Sequence, residues 1–255
     1  MKLFFRKYGK GRSLIILHGL FGQSDNWNTH GKQFSEKGFE VFLVDQRNHG
    51  LSPHSDEWNY SLMSNDILEF VQDNKLENPI LLGHSMGGKS AMHFAIHHCN
   101  RISKLVVVDI APKKYSPTND GVLEGLLAVD FENTKSRKEV ESVLSKFISD
   151  SATKQFLLKN LYWTEDGKLA WRFNLEAINK NQNVIGDTFD VENKSCNKPS
   201  LFVRGEKSKY ILLEDISEIK KLFPNAELKT ITGAGHWIHA DKPKEFFEEV
   251  IKFIA

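Results

Sequence analysis

The sequence predicts an α/β protein in which a mostly parallel sheet is flanked by helices. Short, apolar runs recur along the chain, which is typical of strands that are buried on both faces. Segments with helical spacing separate these runs, and this alternation predicts parallel strands joined by right-handed crossovers. With 255 residues and 40% hydrophobic content, the chain is long enough to bury this core as one domain over residues 1–255.

The predicted elements alternate from the first strand to the last helix. The core strands are expected at 13–19, 40–45, 79–83, 104–110, 199–205 and 226–233. The helices are expected at 24–38, 61–76, 86–99, 212–223 and 243–255. Ser24 or Asp25 suits the N-cap of the first helix because both have short side chains that accept a backbone hydrogen bond.

Residues 111–197 interrupt this alternation. They contain no strand of the core type, only helix-compatible stretches at 121–129, 136–148 and 152–163 before a polar stretch. We expect a helical insertion that lies over the end of the sheet as a cap above a pocket. The alternative is a lateral helical pair that only widens the core.

Charge and composition restrict the partners to small molecules. A formal charge of +1, from 34 basic and 33 acidic residues, creates no field that would gather nucleic acid or anionic membrane. No apolar stretch reaches the roughly 18 residues of a membrane span, and no signal peptide is recognisable, so we expect a cytoplasmic protein. We expect Cys99 and Cys196 to be reduced thiols in a reducing compartment and not to form a disulfide. The sequence does not indicate the oligomeric state.

The segment LLGHSMGGKSA (81–91) places Ser85 between Gly83 and Gly87. In open α/β sheets ligands bind at the carboxyl ends of the strands, and Ser85 lies where a predicted strand turns into a helix. Such a turn needs glycine on both sides, because the strained serine backbone brings its neighbours too close for side chains. The strand before it and the helix after it therefore predict that Ser85 is a nucleophile.

A nucleophilic serine needs a base and a group that orients the base. In hydrolases with this turn the histidine comes last in the chain. His93, His97 and His98 lie on the helix after the turn and are expected to be surface or packing residues. His236 lies in a Gly-rich loop (TITGAGHW) just past the last strand. We expect His236 rather than His239 to be the base, because that loop can bring an imidazole over the sheet edge.

Five motifs together resemble the α/β-hydrolase superfamily, and closely resemble YbfF-type bacterial esterases and their mitochondrial relatives. They are HGLFG (18–22), DQRNHGLS (45–52), GHSMGGK (83–89), VVDIAP (107–112) and GAGHWIHADKP (233–243). The resemblance spans the whole chain and implies an α/β-hydrolase fold with hydrolysis of carboxylic esters. Acyl thioesters such as acyl-CoA remain open as a second substrate class. No metal or organic cofactor is implied.

The acidic member of the site departs from the common superfamily pattern. Most members carry an aspartate in a G-x-x-D element after the next-to-last strand, where this chain reads GEKS with Ser208 in the last position. Asp109, at the end of the strand after the nucleophile strand, has the right location, and the resemblance assigns it this role. The alternative is that Asp109 only caps the loop before Pro112. Glu206 and Asp241 are weaker substitutes.

Two backbone N–H groups are expected to form the oxyanion hole. One belongs to Met86, directly after the serine, and the other to Leu20 in HGLFG, with Phe21 as the alternative. Aromatic side chains are expected to wall an apolar acyl pocket, although each is a core residue in the alternative interpretation. The aromatic candidates are Phe21, Trp163, Trp171, Phe173 and Trp237.

Other polar residues have less specific interpretations. Asp45 and Arg47 are expected to brace loops through hydrogen bonds, and His18 to support its own loop. Lys89 either meets an acidic substrate tail or is a solvated surface lysine. The predicted function is that of a serine esterase acting through an acyl-enzyme. The alternatives are a carbon–carbon hydrolase or lyase with the same triad, and a small-molecule sensor with little turnover.

Overall fold

The computed structural model describes residues 1–116, 121–188 and 194–255. The strands in these ranges are β1 (Phe5–Tyr8), β2 (Arg12–Leu17), β3 (Phe39–Val44), β4 (Ile80–His84), β5 (Leu105–Val108), β6 (Leu161–Trp163), β7 (Leu169–Trp171), β8 (Ser200–Gly205) and β9 (Ala226–Ile231). The helices are α1 (Asn28–Ser35), α2 (Tyr60–Asp73), α3 (Met86–His97), α4 (Val122–Leu127), α5 (Arg137–Leu144), α6 (Ser151–Leu158), α7 (Leu175–Lys180), α8 (Gln182–Gly186), α9 (Ile216–Leu222), α10 (Ile238–Asp241) and α11 (Pro243–Ile254).

The described residues form a seven-stranded sheet in the order β1-β3-β2-β4-β5-β8-β9. β1 pairs antiparallel with β3, and the other neighbours pair in parallel. β3 and β1 lie on one side of β2, and the later strands β4, β5, β8 and β9 lie on its other side. Ligands bind where the strand order reverses in this way, and Ser85 follows β4 directly at that point. The predicted α/β-hydrolase fold, with a mostly parallel sheet flanked by helices, is confirmed.

Both faces of the sheet are covered, which explains why its inner strands carry uninterrupted apolar runs. Ile15 and Leu17 of β2 belong to the apolar cluster that includes α2, α3 and α9. Leu14 and Ile16 belong to the cluster on the other face with α1 and α11. All four are at most 1% exposed, because successive side chains of a strand point to opposite faces. Each such side chain stabilises the fold by about 1.5–3 kcal/mol.

Three local predictions differ from the structure. β1 was not expected, because FRKY is a half-exposed edge strand without an apolar run. The helix expected at 152–163 ends at Leu158, and β6 pairs antiparallel with β7. The helix expected at 24–38 begins with a 3-10 turn. Its N-cap is Gln23, whose N–H donates to Asn26 Oδ1 at 2.8 Å, and not Ser24 or Asp25.

The segment from Ala111 to Asn197 lies between β5 and β8 and contains α4 to α8 and the β6–β7 hairpin in its described part. Residues 117–120 and 189–193 of the predicted insertion lie outside the described residues. Its contacts reach loops that follow β2 and β3. Asn160 Nδ2 donates to Phe21 O at 2.8 Å, and Asn174 N–H donates to Asn48 O at 2.8 Å. The insertion therefore docks on loops at the carboxyl ends of the strands.

The prediction of two reduced thiols is wrong. Cys99 and Cys196 form a disulfide with a sequence separation of 97 residues. It joins the turn after α3 to the segment that leads into β8, so the cross-link closes a loop containing the described helices of the insertion. Cysteine usage therefore no longer supports the cytoplasmic location expected from the sequence. The described residues contain no helix that is both long enough and apolar enough to cross a bilayer.

Candidate active site

Ser85 occupies a sharp turn between β4 and α3. Its backbone has φ 53° and ψ −120°, a region that L-residues other than glycine rarely adopt. A Cβ on Gly83 would lie 2.2 Å from Gly87 O, and a Cβ on Gly87 would lie 2.4 Å from Leu17 O. Both flanking glycines are therefore required by close backbone approach, as the sequence predicted. The turn is fixed further by the Ser85 N–H, which donates to Val108 O at 3.0 Å.

Asp109 and His236 form a hydrogen-bonded pair beside this turn. Asp109 follows β5 with φ 52° and is fully buried. Its Oδ2 lies 2.8 Å from His236 Nδ1. The Gly205 N–H donates to Asp109 Oδ1 at 3.0 Å, and the Ser208 hydroxyl donates to Oδ2. Three groups thus fix the orientation of the carboxylate, and the alternative of a simple loop cap does not account for its contact with His236.

Ser208 is a functional candidate that the sequence pattern indicated only as a missing acid. It occupies the position where the common pattern has aspartate, and its hydroxyl reaches the same oxygen of Asp109 that faces His236. The loops after β5 and β8 therefore converge on the Asp109 oxygen that faces His236 Nδ1. The signal available in the sequence was the departure from the G-x-x-D pattern at Ser208. In the common pattern this position carries the acid, so its side chain is expected close to the histidine.

The two weaker acid candidates hold the loop that carries His236. Glu206 Oε2 accepts the Gly233 N–H at 2.8 Å, and Asp241 Oδ2 accepts the Gly235 N–H at 2.7 Å. The His236 side chain is 25% exposed, so one edge of the imidazole remains open to a ligand. The carboxylates of Glu206 and Asp241 thus bond the backbone of the loop, whereas the carboxylate that contacts the imidazole is that of Asp109.

His236 is packed between two rings. Tyr210 stacks on it with ring centroids 3.9 Å apart, and the His84 ring lies 4.8 Å away. His84 Nε2 donates to the carbonyl oxygen of His236 at 3.0 Å, which ties the serine turn to the histidine loop. Burial lowers the pKa of His84 well below its usual value, so His84 acts as a neutral donor. His239 stacks on Trp27 at 4.2 Å, away from Asp109.

The loop after β2 is braced by two buried, neutral histidines. The Phe21 N–H donates to His49 Nε2 at 3.2 Å, and His49 Nδ1 donates to Arg47 O at 2.9 Å. His18 Nε2 accepts the Gln46 N–H at 3.0 Å, and its Nδ1 donates to Gly19 O at 2.8 Å. The expected loop-supporting role of His18 is confirmed. The Phe21 N–H is engaged by His49, which weakens Phe21 as the alternative oxyanion donor.

Seven histidines in the described residues have a lowered pKa, chiefly because burial penalises the imidazolium. Burial lowers the pKa of His18, His30 and His93 to about 4, and the pKa of His49 and His239 to about 3. These five are therefore neutral at physiological pH. Neutral imidazoles act both as donors and as acceptors, which suits the loop contacts that His18 and His49 make.

The loop after β3 is braced as expected. Arg47 bonds Asp66 through Nε at 2.5 Å and through a terminal nitrogen at 2.8 Å. Asp45 accepts the Ser24 N–H at 2.5 Å and the Leu51 N–H at 2.8 Å. Both acidic side chains are therefore occupied by structural hydrogen bonds, and the bracing roles predicted for Asp45 and Arg47 are confirmed.

The aromatic candidates fall into two clusters and one outlier. Phe173 lies 4.9 Å from Phe21 and stacks on Trp171 at 5.3 Å, and all three are buried. Trp237 lies 5.1 Å from Phe156 of the insertion. Trp163 is 60% exposed and belongs to neither cluster. The first cluster joins the loop after β2 to the insertion, so it lies between the two parts that would enclose a ligand.

The surface interpretation of Lys89 is wrong. Lys89 is 1% exposed, and its Nζ donates to Gly186 O at 3.0 Å.

The site residues lie at the ends of β4, β5, β8 and β9 and in the loop after β2. In the part of the chain that the structure describes, no group of three or more His, Cys, Asp or Glu side chains is arranged to hold a metal ion.

A strained serine after the fourth strand, beside a carboxylate–histidine pair on neighbouring loops, defines a nucleophile-elbow protein of the α/β class. The chain belongs to the α/β hydrolase family, whose model, described as the alpha/beta hydrolase fold, matches residues 12–243.

Similar proteins are named as lipases and esterases. The chain is 38% identical over 256 residues to the sn-1-specific diacylglycerol lipase of Danio rerio, covering 96% of this chain and 80% of that protein. It is 30% identical over 243 residues to esterase YbfF of Escherichia coli, covering 94% of this chain and 92% of that protein. A solved marine microorganism esterase has a TM-score of 0.96 at 43% identity and covers 99% of both chains.

Proposed function

We propose that the protein is a serine hydrolase that cleaves carboxylic esters through an acyl-enzyme on Ser85. The observation that supports this most strongly is the 2.8 Å contact between His236 Nδ1 and the buried Asp109 carboxylate, beside a serine at φ 53°. The names of the similar lipases and esterases support the ester as the bond that is cleaved.

In the proposed reaction the Ser85 hydroxyl attacks the ester carbonyl carbon, and His236 Nε2 accepts the hydroxyl proton. The tetrahedral intermediate collapses when the bond to the leaving alkoxide breaks, and His236 returns the proton to that oxygen. Water then attacks the acyl-enzyme, and His236 accepts a proton from the water and delivers it to Ser85. The carboxylic acid is released and the serine is regenerated.

Asp109 has two roles in this scheme. Its carboxylate keeps the proton of neutral His236 on Nδ1, so that Nε2 is free to accept the serine proton, and it stabilises the imidazolium that forms. The Gly205 N–H and the Ser208 hydroxyl hold the carboxylate in the orientation that both roles require. Ser208 is therefore a positioning residue in the proposed site.

The proposed oxyanion donors are the backbone N–H groups of Met86 and Leu20. Met86 begins α3, where N–H groups lack intrahelical partners and the helix dipole favours negative charge. Each donor of this kind is worth about 3–4 kcal/mol of transition-state stabilisation. The engagement of the Phe21 N–H by His49 supports Leu20 as the second donor.

We assign the insertion at 111–197 the role of a cap above the acyl group. Phe21, Trp171, Phe173 and Trp237 are the proposed apolar walls, and the contacts of Phe21 and Trp237 with insertion residues support this. Esters with an apolar acyl chain are the preferred substrate class, and acyl thioesters form a second class because the same attack applies to them.

Turnover of p-nitrophenyl esters tests the proposal. The purified protein is expected to release many equivalents of nitrophenol from the acetate or butyrate, and Ser85→Ala is expected to lose at least about 10³-fold in kcat/KM. Release of a single equivalent followed by arrest would identify a small-molecule sensor instead. Turnover by Ser85→Ala equal to that of the parent would refute the assigned nucleophile.

A further inference from the structure

Lys89 is a buried lysine one helical turn after Ser85 on α3. Its Nζ donates to Gly186 O at 3.0 Å and to Asp187 O at 2.5 Å. These carbonyls lie at the end of α8, where the last carbonyl groups of a helix lack intrahelical partners. An ammonium group at this end satisfies them and complements the negative end of the helix dipole.

Two tyrosines complete the hold on this end of α8. The Tyr60 hydroxyl donates to Ile185 O at 2.7 Å, and the Tyr115 N–H donates to Gly186 O at 2.7 Å. Lys89 Nζ lies 5.6 Å from the Tyr60 ring centroid and 4.9 Å from that of Tyr115, within the range of cation–π attraction. Three successive carbonyls of the insertion are thus held by α2, by α3 and by the chain after β5.

Burial of the charged Lys89 side chain carries a free-energy cost that other contacts must offset. A methionine would fill a similar volume without the cost of removing an ammonium from water, which is several kcal/mol for a poorly compensated ion. Burial also lowers the pKa of Lys89 to about 8. The contacts that offset this cost are those to the end of α8 and to the two rings, so the buried cation serves to hold α8.

α8 forms one wall of a narrow apolar crevice beside the serine turn. The crevice is too narrow to admit a water molecule. Its apolar and aromatic lining consists of Trp58, Tyr60, Met63, Met86, Val184 and Ile185. Met86 follows Ser85 directly and lines this crevice, whereas the proposed walls Phe21, Trp171, Phe173 and Trp237 do not. An outward shift of α8 would therefore open a second apolar space beside the serine turn.

We propose that Lys89 is a positioning residue that clamps the end of α8 onto α3, keeps this crevice closed and so limits the length of the acyl chain that Ser85 accepts. The inference rests on the proposed ester hydrolysis and adds substrate selection to it. Lys89 acts through α8 and makes no bond to the substrate.

The test compares Lys89→Met with the parent on p-nitrophenyl esters from acetate to decanoate. Without the ammonium, α8 is released and the crevice widens. The ratio of kcat/KM for decanoate to that for acetate is expected to rise about tenfold, the lower range of what apolar pocket contacts discriminate. The kcat for acetate is expected to change less than about threefold, because the short ester does not reach the crevice.

Lys104→Met is the matched control. Lys104 Nζ donates to Phe253 O at 2.7 Å and lies 5.4 Å from the Phe253 ring, so it holds the end of α11 by similar chemistry at the other end of the sheet. Its decanoate-to-acetate ratio is expected to equal that of the parent. An equal rise in both variants would show that general loosening changes the ratio and would overturn the proposal.

Hydrogen exchange of the amides at 182–188 provides a readout that does not need turnover. Exchange is expected to be at least about tenfold faster in Lys89→Met and unchanged in Lys104→Met, because local opening sets this rate. Unchanged exchange overturns the clamp, and faster exchange with an unchanged ratio overturns its role in selection. A parent that hydrolyses no ester refutes the proposed function, while the exchange result still decides the clamp.

If Lys89→Met does not fold, Tyr60→Phe replaces it in both measurements. This variant removes the hydroxyl bond to Ile185 O and is expected to shift the ratio in the same direction by about two- to threefold, the effect of one neutral hydrogen bond. An unchanged ratio and unchanged exchange in folded Tyr60→Phe would overturn the proposal.

Discussion

Replacing Asp109 with asparagine keeps the shape of the side chain but changes which imidazole nitrogen carries the proton. In the folded protein Oδ1 accepts the Gly205 N–H, and Oδ2 faces both His236 Nδ1 and the Ser208 hydroxyl. The amide oxygen of Asp109→Asn should take the Oδ1 position, because an amide NH2 there would oppose the Gly205 N–H. The NH2 group then faces His236.

A donor at this position forces His236 Nδ1 to become the acceptor. The imidazole proton then lies on Nε2, which no longer accepts the proton of Ser85. The same exchange in a serine protease triad lowers kcat about 10⁴-fold through the wrong tautomer. A loss of about 10⁴-fold corresponds to about 5.5 kcal/mol of transition-state stabilisation, and we expect a loss of this size here.

The assay is kcat/KM on p-nitrophenyl butyrate, with circular dichroism and thermal unfolding to establish that each variant is folded. Glu206→Gln and Asp241→Asn are matched controls, because they also exchange a carboxylate for an amide near the His236 loop. Each is expected to lose less than about tenfold, since each bonds only the loop backbone. Folded Asp109→Asn that keeps a tenth or more of the activity would refute the reasoning.

Further predictions concern stability and selectivity. Reduction of the Cys99–Cys196 disulfide, which closes 97 residues, should lower the free energy of unfolding by about 4–5 kcal/mol on the loop-entropy model. An unchanged urea midpoint in the presence of reductant would contradict this. Burial lowers the folded-state pKa of five histidines, His18, His30, His49, His93 and His239, to about 3 or 4, so between pH 6.5 and about 4 the unfolded chain binds more protons and stability falls with acidification. Each histidine contributes about 1.4 kcal/mol per pH unit in this window, and a Tm that is flat from pH 7 to pH 4.5 would refute the burial argument. Trp171→Ala and Phe173→Ala should change chain-length preference more than the rate on acetate, whereas equal losses on all esters would favour a cap that only widens the core.

The sheet could be predicted from the sequence because burial on both faces leaves a strong signal. β2, β3, β4, β5 and β8 each contain three or four consecutive apolar residues, and their alternation with helices along the chain is that of a parallel sheet. β1 lacked this signal, because an antiparallel edge strand buries less of its side chains. The β6–β7 hairpin was missed because Leu161–Trp163 is a short apolar run that suits a helix equally well.

Ser85, Asp109 and His236 were selected from the sequence by motif and chain order, and the structure brings Asp109 and His236 into contact. The partners that orient them could not be found in this way. The hydroxyl of Ser208 reaches Asp109 from a loop 99 residues later, and His84 holds a carbonyl 152 residues later. Such long-range contacts depend on how loops converge, which local patterns do not encode.

For Lys89 and the two cysteines, the behaviour that is usual for the residue type led to the wrong expectation. Lysine is seldom fully buried, so a lysine on a helix is ordinarily interpreted as solvated. The structure buries it because the end of α8 supplies carbonyls and the tyrosine rings supply a cation–π environment. Cys99 and Cys196 lie far apart in the chain, and their pairing depends on the path of the insertion between them.

Covalent labelling of Ser85 by a fluorophosphonate is the most direct test of the proposed chemistry. Such reagents trap a serine whose hydroxyl is activated by a neighbouring base. Mass spectrometry of the digested protein should find one phosphonyl adduct, on the peptide that contains Ser85, and Ser85→Ala should not be labelled. Labelling at another serine, or labelling that persists in Ser85→Ala, would contradict the assignment of Ser85 as the nucleophile.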